Sequence, residues 1–434
     1  MGRKTRLAAV LTAGALALSL AACGGSDPAE SGAKELRLWH YESPDGAMGQ
    51  AWAEAIKRFE ESHPGVKVKF EEKSFEQIQQ SGSMALNSAE APDILEYNKG
   101  NATAGLLVQQ GLLTDLTEEA GERGWDELLG PSLQTTAKYD DRGVMGGDRW
   151  YGVPNYAEYV MVYYNKDLFE KHGVEVPTTM DEFTRVLDAF AAEKVTPIAT
   201  AGAEYPAQQI MYQLALSKAD RAWVDRFELY KGAADFKDAA WTYGATTFAD
   251  WVKKGYIAKE SAGIKAEDMG TSFMKGDYPI VVSGSWWYGR FQTEIKDFEW
   301  GSFLWPGNDL HAGSSGNLWV VPENSDAKDL AYDFIDITMS KDIQNILGNA
   351  GGVPVASDPA AIEDPKSKEL IENYNKLANG DGLAFYPDWP APGYYDVMVS
   401  GTQKLINGSF TPEQFLESLA GPYREHVEDN GLGE

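Results

Sequence analysis

The sequence predicts an α/β fold of two lobes, each built on a mostly parallel sheet flanked by helices. Strand-like and helix-like stretches alternate along the chain, the order that parallel sheets with crossover helices require. The strand candidates are short apolar runs of the kind covered on both faces. A chain of 434 residues also exceeds what one hydrophobic core organises, so at least two lobes are needed.

Leu36, Leu38 and Trp39-His40-Tyr41 read as a short strand running into a loop. A helix follows, because Trp52, Ala55, Ile56 and Phe59 recur at helical spacing and Pro64-Gly65 stops the chain. Val66, Val68 and Phe70 alternate with lysines, the pattern of a half-buried strand. Ser74 and Gln77 have the spacing of a capping box, in which each side chain closes a free backbone N–H of the other at a helix start. Ile94-Leu95, after Pro92-Asp93, is a short buried strand, and Asp93 reads as a residue that fixes backbone rather than one that meets a ligand. Thr179 and Glu182 cap a helix whose Phe183, Val186, Leu187 and Phe190 form one apolar stripe, as a core-facing helix does. Pro279 to Ser283 is a further buried strand. Thr411, Pro412 and Gln414 stand as N-cap, first and third residues of a helix carrying Phe415, Leu416 and Leu419. In folds of this order ligands sit beyond the C-terminal ends of the strands, so the loops there are the places to look for a site.

The first residues point outside the cell. Arg3, Lys4 and Arg6 precede an apolar run from Leu7 to Leu20, shorter than the roughly 20 residues a spanning helix needs. Residues 1–22 therefore read as a signal peptide. Leu20-Ala21-Ala22-Cys23 followed by Gly24 resembles the lipobox of bacterial lipoproteins, which implies a lipidated Cys23 and an exported protein held on the outer face of the cytoplasmic membrane. Two or more acyl chains give stable anchoring where one does not. Residues 23–33 then form the lipidated end and a flexible tether.

Composition removes several classes of function. Cys23 is the single cysteine, so the mature body has neither disulfides nor thiolate metal sites. The five histidines (His40, His63, His172, His311 and His426) lack a ligand-like spacing, and no metal or cofactor is expected. The formal charge of −28 becomes −31 once Arg3, Lys4 and Arg6 leave with the signal peptide, which makes nucleic acid and anionic lipid surfaces poor partners. The 13 Trp and 21 Tyr exceed what a core needs and point to an aromatic-lined binding surface.

A series of segments carries a family resemblance. In chain order they are Leu38-Trp39, Ala91-Pro92-Asp93-Ile94-Leu95, Gly152-Val153-Pro154, Tyr164-Asn165-Lys166-Asp167-Leu168-Phe169, Thr196-Pro197-Ile198, Gly284-Ser285-Trp286, Gly316 to Pro322 before a helix at Ala327 to Thr338, and Gly351-Gly352-Val353-Pro354-Val355. Together they resemble the sugar-type extracellular solute-binding proteins of bacterial ABC importers, family 1, of the maltose-binding-protein-like kind. The resemblance implies two lobes joined by hinge crossovers: residues 34–155 with 316–349, and 156–315 with 350–434. It also implies a monomeric, non-enzymatic receptor that hands its sugar to the membrane subunits of an importer, whose cytoplasmic ATPase powers release.

Sugars present apolar C–H faces and rings of hydroxyls, so their sites combine aromatic planes with planar polar groups. At the family's cleft positions this chain has Trp39, His40, Tyr41 and Glu42 after the first strand, and Tyr97 and Asn98 after Ile94-Leu95. Asn155, Tyr156 and Glu158 lie at the first crossover, Glu158 six residues before Tyr164, where the family carries a cleft glutamate. Tyr205, Trp286, Asn317, Gly352 and Trp389 complete the candidates, with Ser285 standing where the family has proline. The alternative for Trp39 and Trp286 is a core cap, for Glu158 a rim acid or the partner of a hinge lysine, and for Gly351-Gly352 a tight crossover turn. Trp287, Trp305 and Trp319 read as core or rim. An extracellular glycoside hydrolase is the rival function, with Glu42, Glu158 and Asp388 as possible paired acids. A second alternative keeps the fold and binds a polyamine or another non-sugar solute.

Overall fold

The computed structural model describes residues 34–433. The segments expected to be a signal peptide and a tether, with Cys23, lie outside the described residues. The chain first lays down β1 (Lys34–His40), α1 (Ala47–Ser62), β2 (Val66–Glu72), α2 (Phe75–Leu86) and β3 (Ile94–Tyr97). β1 pairs in parallel with β2 (Leu36 opposite Val68) and with β3 (Leu38 opposite Ile94). After β4 (Val153–Pro154) the chain crosses into a second sheet with β5 (Ala157–Asn165), α3 (Met180–Ala192), β6 (Ile198–Ala199), α4 (Tyr205–Leu216), α5 (Ala239–Lys253), β7 (Ile280–Gly284), β8 (Trp300–Phe303) and β9 (Gly313–Ser315). It returns as β10 (Leu318–Val320), which inserts between β3 and β4. Helices α6 (Lys328–Met339), α7 (Lys341–Asn349), α8 (Tyr394–Asn407) and α9 (Pro412–Asp429) follow. Helices α6 and α7 pack on α1, whereas α8 and α9 pack on α4 and α5.

The α/β class with helix-flanked sheets stands, but the strand directions are more mixed than the sequence predicts. Parallel pairing holds for β1 with its two neighbours and for β6 with β7. The crossovers explain part of the rest. One pass runs from β4 to β5 and the other from β9 back to β10, in opposite directions, so β10 lies antiparallel to β4 and β9 antiparallel to β5. β5 is also antiparallel to β7 and β8, so the second sheet is mixed.

Alternation along each strand divides the core into two layers. Leu36, Leu38, Ile94 and Trp319 of the first sheet share a layer with Tyr159, Met161, Tyr163 and Val281 of the second. Leu95, Leu318 and Val320 share the other with Val160, Val162, Ile280 and Val282. Trp305 and Trp319 are fully buried in these layers. The caps form as their spacing requires. Ser74 and Gln77 bond reciprocally at 3.2 and 3.0 Å, Thr411 and Gln414 at 3.3 and 2.9 Å, and Thr179 Oγ1 accepts from the Glu182 amide at 3.2 Å. β2 is more exposed than alternation suggests, because it is an edge strand: Phe70 is 39% exposed and lies against the His40 ring at 4.1 Å.

Candidate functional site

A cavity of ≈ 210 Å³ lies between the two sheets. Because β1 and β3 are parallel neighbours, their following loops emerge on one edge, and Tyr41, Glu42 and Ser43 from one meet Asn98 and Lys99 from the other. Asn317, just before β10, and Tyr156 and Glu158, on the first crossover, complete this side. The second sheet contributes Trp286 and Trp287 from the turn after β7, Tyr205 and Gln209 from the start of α4, and Tyr386, Asp388 and Trp389. Phe75, Glu267, Arg290 and Tyr395 also border the space. The Trp389 ring reaches its place by lying on Gly100, where φ is +107° and an added Cβ would stand 2.6 Å from the indole.

A continuous polar chain runs along the first side. Lys99 Nζ pairs with Glu158 Oε1, both side chains being buried. Tyr156 donates its hydroxyl to Glu158 Oε2 at 3.0 Å, and Asn317 Nδ2 donates to both Tyr156 and Glu42 Oε1 at 3.1 Å. Behind it Asn155 Nδ2 donates to Glu96 Oε1 at 2.7 Å. Burial, with repulsion from Glu96 and Glu158, raises the Glu42 carboxyl well above its ordinary range. Burial likewise pushes Glu96 up to about 8 and Asp388 to about 6.

The opposite side is a run of rings. Trp286 and Tyr205 meet edge to face at 5.6 Å, with Trp286 Nε1 donating to the Tyr205 hydroxyl at 3.1 Å. Tyr386 and Trp389 have centroids 5.1 Å apart, and Lys99 Nζ lies 5.4 and 5.2 Å from their ring centres. Several polar atoms of cavity residues have no partner among the described residues: the Tyr41 hydroxyl, Gln209 Oε1, Trp287 Nε1 and the Tyr386 hydroxyl.

Tyr41, Glu42, Asn98, Tyr156, Glu158, Tyr205, Trp286, Asn317 and Trp389, expected from the sequence, all line the cavity. Five candidates lie outside its wall. Trp39 carries Lys73 Nζ 4.4 Å over its ring. His40 is 5% exposed, accepts from the Glu42 amide at 3.3 Å and is held neutral by burial, which lowers it to about 4. Tyr97 packs under Gly82, Asn155 sits one layer back on Glu96, and Gly352 packs on Leu347 and Ala47. Gly351, at φ +86°, makes the tight turn. Asp93 anchors backbone, accepting from the Arg37 amide at 2.8 Å.

Sequence reasoning missed Ser43, Phe75, Lys99, Gln209, Glu267, Arg290, Tyr386 and Tyr395, and placed Trp287 in core or rim. Gln209 carried a signal, since it stands four residues after Tyr205 on one helix and so on the same face. Asp388 adjoins Trp389 but was weighed only as a possible acid of a hydrolase. Among the described residues no cluster of His, Cys, Asp and Glu could hold a metal ion, and no helix is long and apolar enough to cross a membrane.

Known proteins of the same kind cover nearly the whole chain. Diacetylchitobiose binding protein DasA of Streptomyces coelicolor is 26% identical over 408 residues, covering 89% of this chain and 90% of that protein. A solved chitin oligosaccharide binding protein superposes with a TM-score of 0.75 at 24% identity, covering 92% of this chain and 99% of its own. A structure from work on xylan utilisation by Caldanaerobius polysaccharolyticus gives 0.76 at 21% identity, covering 89% and 98%. The family model for bacterial extracellular solute-binding proteins matches residues 43–345. With most of the chain inside that match and the two-sheet fold shared, the protein belongs to the bacterial extracellular solute-binding protein family.

Proposed function

We propose that the chain is an extracellular receptor that captures a sugar or oligosaccharide between two lobes and delivers it, chemically unchanged, to the permease of an ABC importer. The observation that carries this reading is the cavity, where a polar chain from Lys99 to Glu42 faces the rings of Trp286, Tyr205, Tyr386 and Trp389. Amide and carboxyl groups suit hydroxyls, and flat rings suit the C–H faces of a pyranose. The names of DasA and of the Streptococcus mutans multiple sugar-binding protein support a saccharide ligand.

The lobes are residues 34–155 with 316–349, and 156–315 with 350–434. Strand membership supports this division, since the sheet changes between Pro154 and Ala157 and again between Ser315 and Leu318. Closure is favoured by contacts that only the closed state makes. The Trp389 carbonyl accepts from the Ala102 amide at 2.8 Å, a contact between the proposed lobes. Release is driven by a cytoplasmic ATPase acting on the permease, and the receptor works as a monomer held to the membrane by lipid on Cys23.

Titration calorimetry of the mature protein against mono- and oligosaccharides tests the reading. Binding of at least one saccharide is expected, with Trp286→Ala weakening it by about 1 kcal/mol or more. Failure to bind any saccharide, or the appearance of shortened oligosaccharides during incubation, would overturn it.

A further inference from the structure

We infer that Asn101 is a clasp between the two proposed lobes, a positioning residue that tightens the hold on the captured sugar without touching it. The inference rests on the saccharide reading and the lobe division above, and adds a residue outside the cavity wall. Asn101 is 6% exposed and does not border the cavity. Its Oδ1 accepts from the Met145 amide at 2.7 Å, within its own lobe, while its Nδ2 donates to the Glu228 carbonyl at 2.7 Å, in the other.

A carboxamide is the group this position requires, because it must accept on one side and donate on the other. Glu228 is the last residue of the helix Arg221–Glu228, and the final carbonyls of a helix have no donor within it. The first lobe therefore caps a helix of the second. The next residue makes a crossing of its own, the Ala102 amide to the Trp389 carbonyl at 2.8 Å, and Arg142 Nη1 reaches the Gly431 carbonyl at 3.4 Å. The backbone on both sides is unusual. Asn101–Gly105 forms one turn of π-helix, and Tyr230, two residues after Glu228, is held at φ +53°. Such turns and such left-handed residues recur at functional sites, where the surrounding structure holds them in place.

These crossings join protein to protein, so they act on the lobes and not on the sugar. The apparent dissociation constant is the intrinsic one divided by the fraction of molecules in the binding-competent arrangement. As a clasp, the bond from Asn101 to Glu228 is lost when the lobes part, so it raises that fraction. The Met145 bond stays within one lobe and survives opening, which leaves Asn101 poised to close again. The effect of Asn101 should therefore appear in the rate at which sugar leaves, with the cavity's own contacts unchanged.

Calorimetry and stopped-flow tryptophan fluorescence on the parent, Asn101→Ala and Asn101→Asp test the inference. The probes are maltose, xylobiose and N,N′-diacetylchitobiose, or another saccharide of the wider panel if none of these binds. Asn101→Asp keeps an acceptor for Met145 and turns a second acceptor toward Glu228, so it removes the crossing alone. Both variants, checked for folding by circular dichroism, should bind about three-fold or more weakly, through faster dissociation, with association rates within about two-fold of the parent. Affinity equal to the parent's in either folded variant, or a loss carried by association, overturns the inference and leaves the saccharide reading intact. So does failure of both variants to fold, which would make Asn101 a requirement of its own lobe. If no saccharide binds, the saccharide reading falls and small-angle scattering of the ligand-free proteins decides the clasp: a larger radius of gyration in the variants supports it, and an equal one overturns it.

Discussion

On the first-sheet side of the cavity, Glu42, Lys99 and Asn317 present charge and amide groups tied to Tyr156 and Glu158 of the crossover, with Asn98 beside them. On the second-sheet side, Tyr205, Trp286, Trp287, Tyr386 and Trp389 present rings. The two sides are built by different physics. Hydrogen-bonded groups must be held in fixed directions, and the first side gains that rigidity from short loops leaving adjacent parallel strands. Rings contribute mainly area and tolerate small displacements, and the second side gathers them from the β7 turn, the start of α4 and the Tyr386–Trp389 segment. Orientation comes from one side and contact area from the other.

Removing the cation of the first side gives the largest expected effect. Lys99→Met leaves Glu158 buried without its partner, and losing one member of a buried pair costs about 3–5 kcal/mol. The double change Lys99→Met with Glu158→Gln should recover most of that loss. Urea unfolding monitored by tryptophan fluorescence measures both. A Lys99→Met protein as stable as the parent would mean that the pair does not hold the polar side together.

Glu96, behind that side, gives an effect that grows with pH. Its carboxyl titrates near 4.5 when unfolded and about 8 when folded, so the folded state keeps a proton that the unfolded chain has lost. Stability from this group is full below pH 4.5 and falls as pH rises toward 8. Glu96→Gln keeps an acceptor for Asn155 Nδ2 but cannot ionise. Relative to the parent it should gain about 2 kcal/mol between pH 4.5 and pH 6 and more above that. His40 tilts the other way in both proteins, because burial lowers it from 6.5 to about 4 and its stability is lost as pH falls through that window. Only the difference between the two proteins isolates Glu96, and a difference that does not change with pH would remove the buried proton.

The same asymmetry decides what could be read from sequence. Helices announce themselves locally: Ser74 with Gln77 and Thr411 with Gln414 are complete signals within four residues, and both capping boxes form. Cavity residues next to strand ends, such as Tyr41, Glu42, Asn98 and Trp286, were legible because a short apolar strand marks the loop that follows. Tyr386 and Tyr395 were not, since no strand marks their segment; its place comes from isolated pairing of Leu383 with His311 and of Phe385 with Gly313, contacts far apart in sequence. His40 and Tyr97 lie outside the cavity wall for a related reason. Each adjoins a true cavity residue, but successive side chains at a strand end point to opposite sides. Lys99 was missed because its role depends on Glu158, a partner 59 residues away.

The two capping boxes offer the finest test of the comparison, because they have the same local chemistry in different places. Replacing an N-cap Ser or Thr by Ala costs about 1 kcal/mol wherever the helix lies. Ser74→Ala and Thr411→Ala should therefore lower stability by similar amounts in urea unfolding. Only Ser74 is followed by a cavity residue, Phe75, whose ring meets Tyr41 at 5.4 Å and, from across the cavity, Tyr205 and Tyr395 at 6.4 Å. Fraying the first turn of α2 loosens that ring and the Tyr395 hydroxyl bonded to Glu76 Oε1 at 3.0 Å. Ser74→Ala should thus weaken saccharide affinity two- to five-fold in calorimetry, an effect of about 0.4–1 kcal/mol, while Thr411→Ala leaves affinity unchanged. Equal affinities in the two variants would show that the start of α2 only borders the cavity and takes no part in holding what enters it.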